Sequence, residues 1–237
     1  MAVTRKGNSS RALHPTHECP ETVLHVYTSF LYVCGVPNQK SSAADALFEI
    51  IEQQQGYFTA KQAAEAGYRL GSQAHHVKAG NWLRVERGIY RLARFPRSME
   101  GQYVIYSLWS RNRAGEPAGV YSHETALSIH ELSDANPAKL HMTVSPSFRR
   151  TASTPKAVQL HRARLGTGEI EQRQGFAVTK AIRAVADVAA GGKQEFAEQA
   201  LREGTKRGVV TRQQMLDLRR KGGHPEWLDR LLERYSR

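Results

Sequence analysis

Residues 43–93 carry two kinds of apolar period. Ala43, Ala46, Leu47, Ile50 and Ile51 recur at helical spacing, so 43–55 predicts a helix that Gly56 ends. Thr59 is the expected N-cap of a short second helix over 60–66, stopped by Gly67. Ser72 is the expected N-cap of a third over 73–79, stopped by Gly80, with Leu70, Ala74 and Val77 toward the core. Beyond it the period shortens to two. Trp82-Leu83-Arg84-Val85 and Ile89-Tyr90-Arg91-Leu92 alternate about the turn Glu86-Arg87-Gly88, which reads as a hairpin. Three helices followed by a two-stranded hairpin make a winged helix-turn-helix.

Residues 98–237 mix both periods. Ser98 to Arg111 predicts a helix, Gly119-Val120-Tyr121 a short strand, and Ser122-His123-Glu124-Thr125 opens a helix through Ile129 and Leu132. Residues 139–145 alternate Leu140, Met142 and Val144 with polar positions, and 157–165 do the same with Val158 and Leu160, so both are half-buried strands. A further strand pair is expected over 169–178, then a helix capped by Thr179, then helices over 194–207, 211–219 and 226–235. The fold class is α+β: an N-terminal winged helix-turn-helix over 43–97, followed by a mixed α/β domain with a helical end over 98–237.

The first 42 residues read differently, as a poorly ordered arm or a start assigned too far upstream. Glu18 and Glu21, in a long leader before the apolar-leaning run 22–36, argue against a signal peptide, and the bulky residues before Cys34 argue against lipidation. No apolar run reaches the 18 or more residues of a membrane span. Two cysteines, Cys19 and Cys34, cannot build a disulfide framework and fit a reducing cytosol, so the expected location is cytoplasmic.

Charge narrows the choice of partner. The 237 residues hold 34 Lys+Arg against 22 Asp+Glu, a formal +12, with 40% hydrophobic residues, which excludes a disordered chain and points to a polyanion. The excess is uneven: +3 over 41–97, zero over 98–150 and +7 over 151–237. The C-terminal share can be solvated helix faces, or Arg162, Arg164, Lys206, Arg207 and Arg219-Arg220-Lys221 can extend a nucleic-acid surface.

In the winged helix the candidate DNA-binding residues are Ser72, Gln73, His75, His76 and Lys78 on the third helix, with Arg84, Arg87 and Arg91 in the hairpin. Gln reads adenine through a bidentate pair and Lys reaches guanine or phosphate, the first turn of a recognition helix entering the major groove. The hairpin arginines can reach phosphates or the minor groove. A protein-docking winged helix, its charge serving solubility, is the alternative. No metal or other cofactor is expected: His75 and His76 diverge by about 100° around a helix and cannot chelate as an i, i+4 pair would. No enzyme is expected either. Ser122-His123-Glu124 adjacency gives no triad geometry, Asp134, His141 and His161 stand singly, Glu169 and Glu171 lack a partner, and no phosphate loop or C-x-x-C occurs.

Three stretches resemble one family, the AbiEi-like antitoxins of type IV toxin–antitoxin systems. They are Gly56-Tyr57-Phe58-Thr59 through Gly67 with Gly80-Asn81-Trp82-Leu83-Arg84-Val85-Glu86-Arg87-Gly88-Ile89-Tyr90; then Tyr121-Ser122-His123-Glu124-Thr125-Ala126-Leu127 with His130, Leu132-Ser133-Asp134 and Leu140-His141-Met142-Thr143-Val144; then Val178-Thr179 with Arg183-Ala184-Val185-Ala186-Asp187. Ala184 stands where that family usually has a small polar residue. The likeness spans roughly 44–218 and implies an antitoxin and autorepressor that binds double-stranded DNA in its own promoter and opposes a nucleotidyltransferase-type toxin. It also implies a monomer, or a weak dimer on DNA. The alternative is an orphan winged-helix regulator or an interaction module without antitoxin activity.

Overall fold

Ser42 caps the first helix of the computed structural model, which describes residues 42–237; the expectations for the arm before it lie outside those residues. The Ser42 hydroxyl accepts the Asp45 amide while the Asp45 carboxylate accepts the Ser42 amide, a reciprocal capping box. Helix α1 (Ala43–Glu52) ends earlier than the apolar spacing suggests, because Gln55 and Gly56 both turn left-handed, at φ 52° and 86°. Those two turns feed a strand that periodicity does not reveal, β1 (Tyr57–Thr59). Thr59 closes β1 and caps α2 (Ala60–Glu65) through a second capping box with Gln62. Then follow α3 (Gln73–Lys78), β2 (Trp82–Glu86) and β3 (Ile89–Leu92). Ser72 is itself helical, at φ −72° and ψ −8°, and makes no capping bond, which corrects the expectation for it.

The small sheet is antiparallel in the order β1-β3-β2, so the winged helix-turn-helix is complete, with β3 in the middle. Leu47, Ile51, Phe58, Ala63 and Trp82 form the core under its helices, with Tyr90 and Leu92 packed against it from one face of β3. Ile89, on the other face, joins a larger core shared with the rest of the chain, as does Tyr57. The expected simple alternation of β2 breaks at Val85, where the pairing slips from Arg84↔Tyr90 to Glu86↔Ile89, a bulge before the turn.

The remainder begins with α4 (Gly101–Trp109), packed on β1 and β3. A five-stranded mixed sheet follows, in the order β6-β5-β4-β8-β7, from β4 (Val120–Tyr121), β5 (Leu140–Val144), β6 (Val158–Arg162), β7 (Ile170–Arg173) and β8 (Phe176–Thr179). β5 and β6 run parallel, as do β4 and β8, while β4–β5 and β7–β8 are antiparallel. Helix α5 (His123–Ile129) sits between β4 and β5 in sequence and packs on α6 (Ala181–Ala190). The helical end is α7 (Gln194–Lys206), α8 (Arg212–Lys221) and α9 (Glu226–Tyr235). Thr179 does not cap α6: it ends β8, and its carbonyl accepts the His130 Nε2 proton at 2.8 Å. Thr211 does cap α8, in a box with Gln214. Among the described residues no helix is long and apolar enough to cross a membrane.

Gly56 tests this architecture. Its φ of +86° disfavours a side chain, and a Cβ there would lie 2.6 Å from the Phe95 ring. Gly56→Ala is expected to cost about 2 kcal/mol or more, read as a lower urea midpoint at unchanged slope.

Candidate nucleic-acid interface and a buried histidine cluster

Helix α3 is held against β2 by aromatic packing. The His76 ring stacks on Trp82 at 4.3 Å between centroids, and Tyr68 meets both rings edge-on. That packing sets the roll of the helix. Val77 and His76 turn inward and are half-buried, while Ala74, His75 and Lys78 are exposed. Leu70, expected inside, is 78% exposed, and His76, expected outside, is a packing residue. Gln73 and Ser72 are half-buried, and the Ser72 hydroxyl has no partner among the described residues. The His75 and His76 rings lie 5.5 Å apart at 78°.

In the wing, Arg84 and Arg87 are exposed. Gly88 turns the tip at φ +75°, with open space where a Cβ would be, so the backbone angle alone favours glycine there. Arg91 departs from the expectation that it reaches DNA: it is 4% exposed. Position 91 shares the inward face of β3 with Ile89, and this face is covered by the rest of the chain. The Arg91 guanidinium donates to the Phe95 carbonyl and lies over the Tyr57 ring at 5.9 Å. Lys78, Arg84 and Arg87 make no ion pair among the described residues. Most of the C-terminal candidates are engaged instead: Arg207 with Glu131, Arg219 with Glu233, Arg220 with Asp217, Lys221 with Glu169. Arg162 donates to the Pro146 and Phe148 carbonyls.

Arg183 and Asp187 form an i, i+4 pair at 2.8 Å, and Arg183 also holds Glu169 at 3.0 Å. Burial pushes the Glu169 carboxyl up, but the Gly166 amide, Lys221 and Arg183 together hold it at about 2. Glu171 pairs with Arg173 at 2.7 Å. The partners that sequence spacing could not supply for these two acids are therefore basic groups.

The histidines read as standing singly come together, and the expectation of no convergent cluster is corrected. One ring nitrogen each of His123, His141 and His161 lies within 4.8 Å of the other two. The β5–β6 register places His161 opposite Thr143, so His141 and His161 fall on one face as diagonal neighbours. His161 Nε2 and His141 Nδ1 are 3.0 Å apart, and the His123 and His161 rings stack at 3.7 Å. The Glu124 carboxylate, buried, reaches His141 Nδ1 at 3.4 Å with one oxygen and Lys193 with the other. Burial raises the Glu124 carboxyl, and the Lys193, backbone and His141 contacts outweigh it. Ser122 Oγ lies 2.9 Å from His123 Nδ1 and accepts the Thr143 hydroxyl at 2.7 Å. The signal in the sequence is a histidine on each of two alternating strands, but only the register between strands tells that they meet.

Burial, helped by the neighbouring His161 and His141, lowers His123 from 6.5 to about 4, and burial also lowers the other two. Lowered histidines bind fewer protons folded than unfolded. Stability is therefore level above about pH 6.5 and falls as pH drops from there toward 4. Urea unfolding followed across that window should show the decline, and His123→Asn should flatten it; an unchanged slope in the variant overturns the assignment.

Residues 45–93 match the family model described as "Transcriptional regulator, AbiEi antitoxin". That match takes in the first of the three motif stretches; the Tyr121–Val144 and Val178–Asp187 stretches lie outside it. No curated protein matches the chain. Among solved structures it is similar to the crystal structure of the RV2827C protein from Mycobacterium tuberculosis, with 12% identity, 82% of this chain and 75% of that chain covered, and a TM-score of 0.51. At that identity the likeness concerns the fold alone. Over residues 45–93, the segment of its winged helix, the chain is thus similar to the family described as AbiEi antitoxin transcriptional regulators.

Proposed function

We propose that this protein is a cytoplasmic, DNA-binding antitoxin that represses the operon encoding it and opposes a nucleotidyltransferase-type toxin. The observation that carries the reading is the contrast in how cations are used. Lys78, Arg84 and Arg87 stand exposed and without an ion pair among the described residues on α3 and the wing, within the segment that matches the regulator family, while Arg207, Arg219, Arg220 and Lys221 at the C-terminal end are each paired with an acid. Exposed, unspent cations beside a recognition helix are what a phosphate backbone engages. His75 and the half-buried Gln73 supply base-edge chemistry on the same helix, and Leu70 and Ala74 can meet thymine methyl groups. The exposed Leu70 also favours a second reading, in which the same face docks a protein partner.

A gel shift with the DNA upstream of the protein's own reading frame separates the two. Affinity for it should fall with salt at a log–log slope of about −0.9 per phosphate neutralised. Lys78→Ala and Arg87→Ala should each weaken binding and reduce the slope by about one. Arg91→Ala should lower the melting temperature and leave the slope of the folded protein unchanged. Salt-independent binding, or a slope indifferent to both exposed substitutions, would favour the docking module. Gln73→Ala should relax base preference at one operator position by about 1–3 kcal/mol, read by competition among single-base variants. Loss of affinity that is uniform across those variants would instead make Gln73 a backbone contact.

A further inference from the structure

We infer that His123, His141 and His161 form a binding site for one divalent transition-metal ion of the zinc, cobalt and nickel class. The site lies in the five-stranded sheet, apart from the DNA-binding reading and independent of it.

Three observations carry this. The first is convergence: each ring brings a nitrogen within 4.8 Å of the others, and one pair already stands at 3.0 Å. A tetrahedral ion with nitrogen ligands at about 2.0–2.1 Å spaces those nitrogens at about 3.3 Å, close to the spacing present, and the stacked His123 and His161 rings would turn out of their stack to aim their lone pairs at it. The second is chemistry. Imidazole is the ligand of this metal class, and burial keeps the three rings neutral near pH 7, the form that carries a free lone pair. Ser122 Oγ can accept the His123 Nδ1 proton and leave Nε2 free, the kind of contact that orients a metal-bound histidine, and the buried Glu124 carboxylate stands 3.4 Å from His141 Nδ1, the nitrogen that faces His161, offsetting part of the ion's charge.

The third observation is backbone geometry. His123 is left-handed at φ +53° where it opens α5, a region that histidine accepts more readily than most residues. The conformation directs the ring onto His161 rather than along α5. Packing alone gives no reason for a stack of three partly buried imidazoles, each facing another imidazole where an apolar side chain would fill the space.

The test uses the full chain, stripped with a chelator and titrated with Zn(II) and separately with Co(II). Because other histidines and Cys19 and Cys34 can hold metal, the readout is the difference between variants. The unsubstituted protein should bind one more equivalent than His161→Gln, and Co(II) should give the strong visible absorption of a tetrahedral site only when all three histidines are present. His123→Asn keeps a residue type that tolerates positive φ, so it should stay folded by circular dichroism while losing the equivalent and the colour. A double substitution of His75 and His76 by Gln should retain both. Zn(II) should raise the melting temperature of the unsubstituted protein and not of His123→Asn. Equal stoichiometry and colour in the unsubstituted protein, His123→Asn and His161→Gln would overturn the site, as would no binding by the unsubstituted protein.

Discussion

The middle strand of the small sheet has no free face, and much of the architecture follows from that. On β3, Tyr90 and Leu92 close the core beneath the three helices, while Ile89 and Arg91 look the other way into the rest of the chain. A winged helix standing alone would leave that second face to water. Here α4 lies across it, and Tyr57 on the neighbouring strand joins the same larger core. A charged residue placed there must be given partners, because an unpaired buried cation is costly. Arg91 meets part of that demand with a carbonyl and an aromatic ring, while its Nε has no partner among the described residues.

Much of the fold could be read from local pattern. The cap at Thr59 and the alternation of β5 and β6 are short-range signals, and the elements they predict are present. Failures arose where the deciding contact is distant in sequence. β1 is too short to show a period, and exists because β3 pairs with it. The roll of α3 departs from the expectation because a stacking contact with Trp82 outweighs the preference of His76 for water, and Leu70, which precedes that helix, is exposed. Arg91 looks like its neighbours Arg84 and Arg87 in a list of residues; strand parity plus a covering helix separates them. The histidine cluster is the clearest case. His123, His141 and His161 sit on three elements, and nothing within any one of them reports the pairing that unites the set.

Net charge likewise becomes informative only once it is distributed. The third motif stretch, Arg183 through Asp187, is a buried-edge ion network with Glu169 and Lys221 at its ends. Its cations brace α6 and α8 against the turn before β7. A basic chain can thus look strongly polyanion-seeking in composition while a large part of its charge is structural. Lys78, Arg84 and Arg87, on one short helix and one wing, are among the exposed cations that no acid of the described residues holds.

The five-stranded sheet has an uneven seam. Its central strand, β4, is two residues long, and Val120 and Tyr121 alone join the β5–β6 pair on one side to the β7–β8 hairpin on the other. Both partners of β4 lie far from it in sequence, so neither half gains the seam by local zippering. Loop closure must come first, and closing long loops before any reward slows folding. The Tyr121 side chain acts as the latch, fully buried and donating its hydroxyl proton to the Tyr103 carbonyl of α4. The element that covers the back of the winged helix is therefore the same one that fastens the sheet, so a disturbance of α4 reaches both halves of the chain.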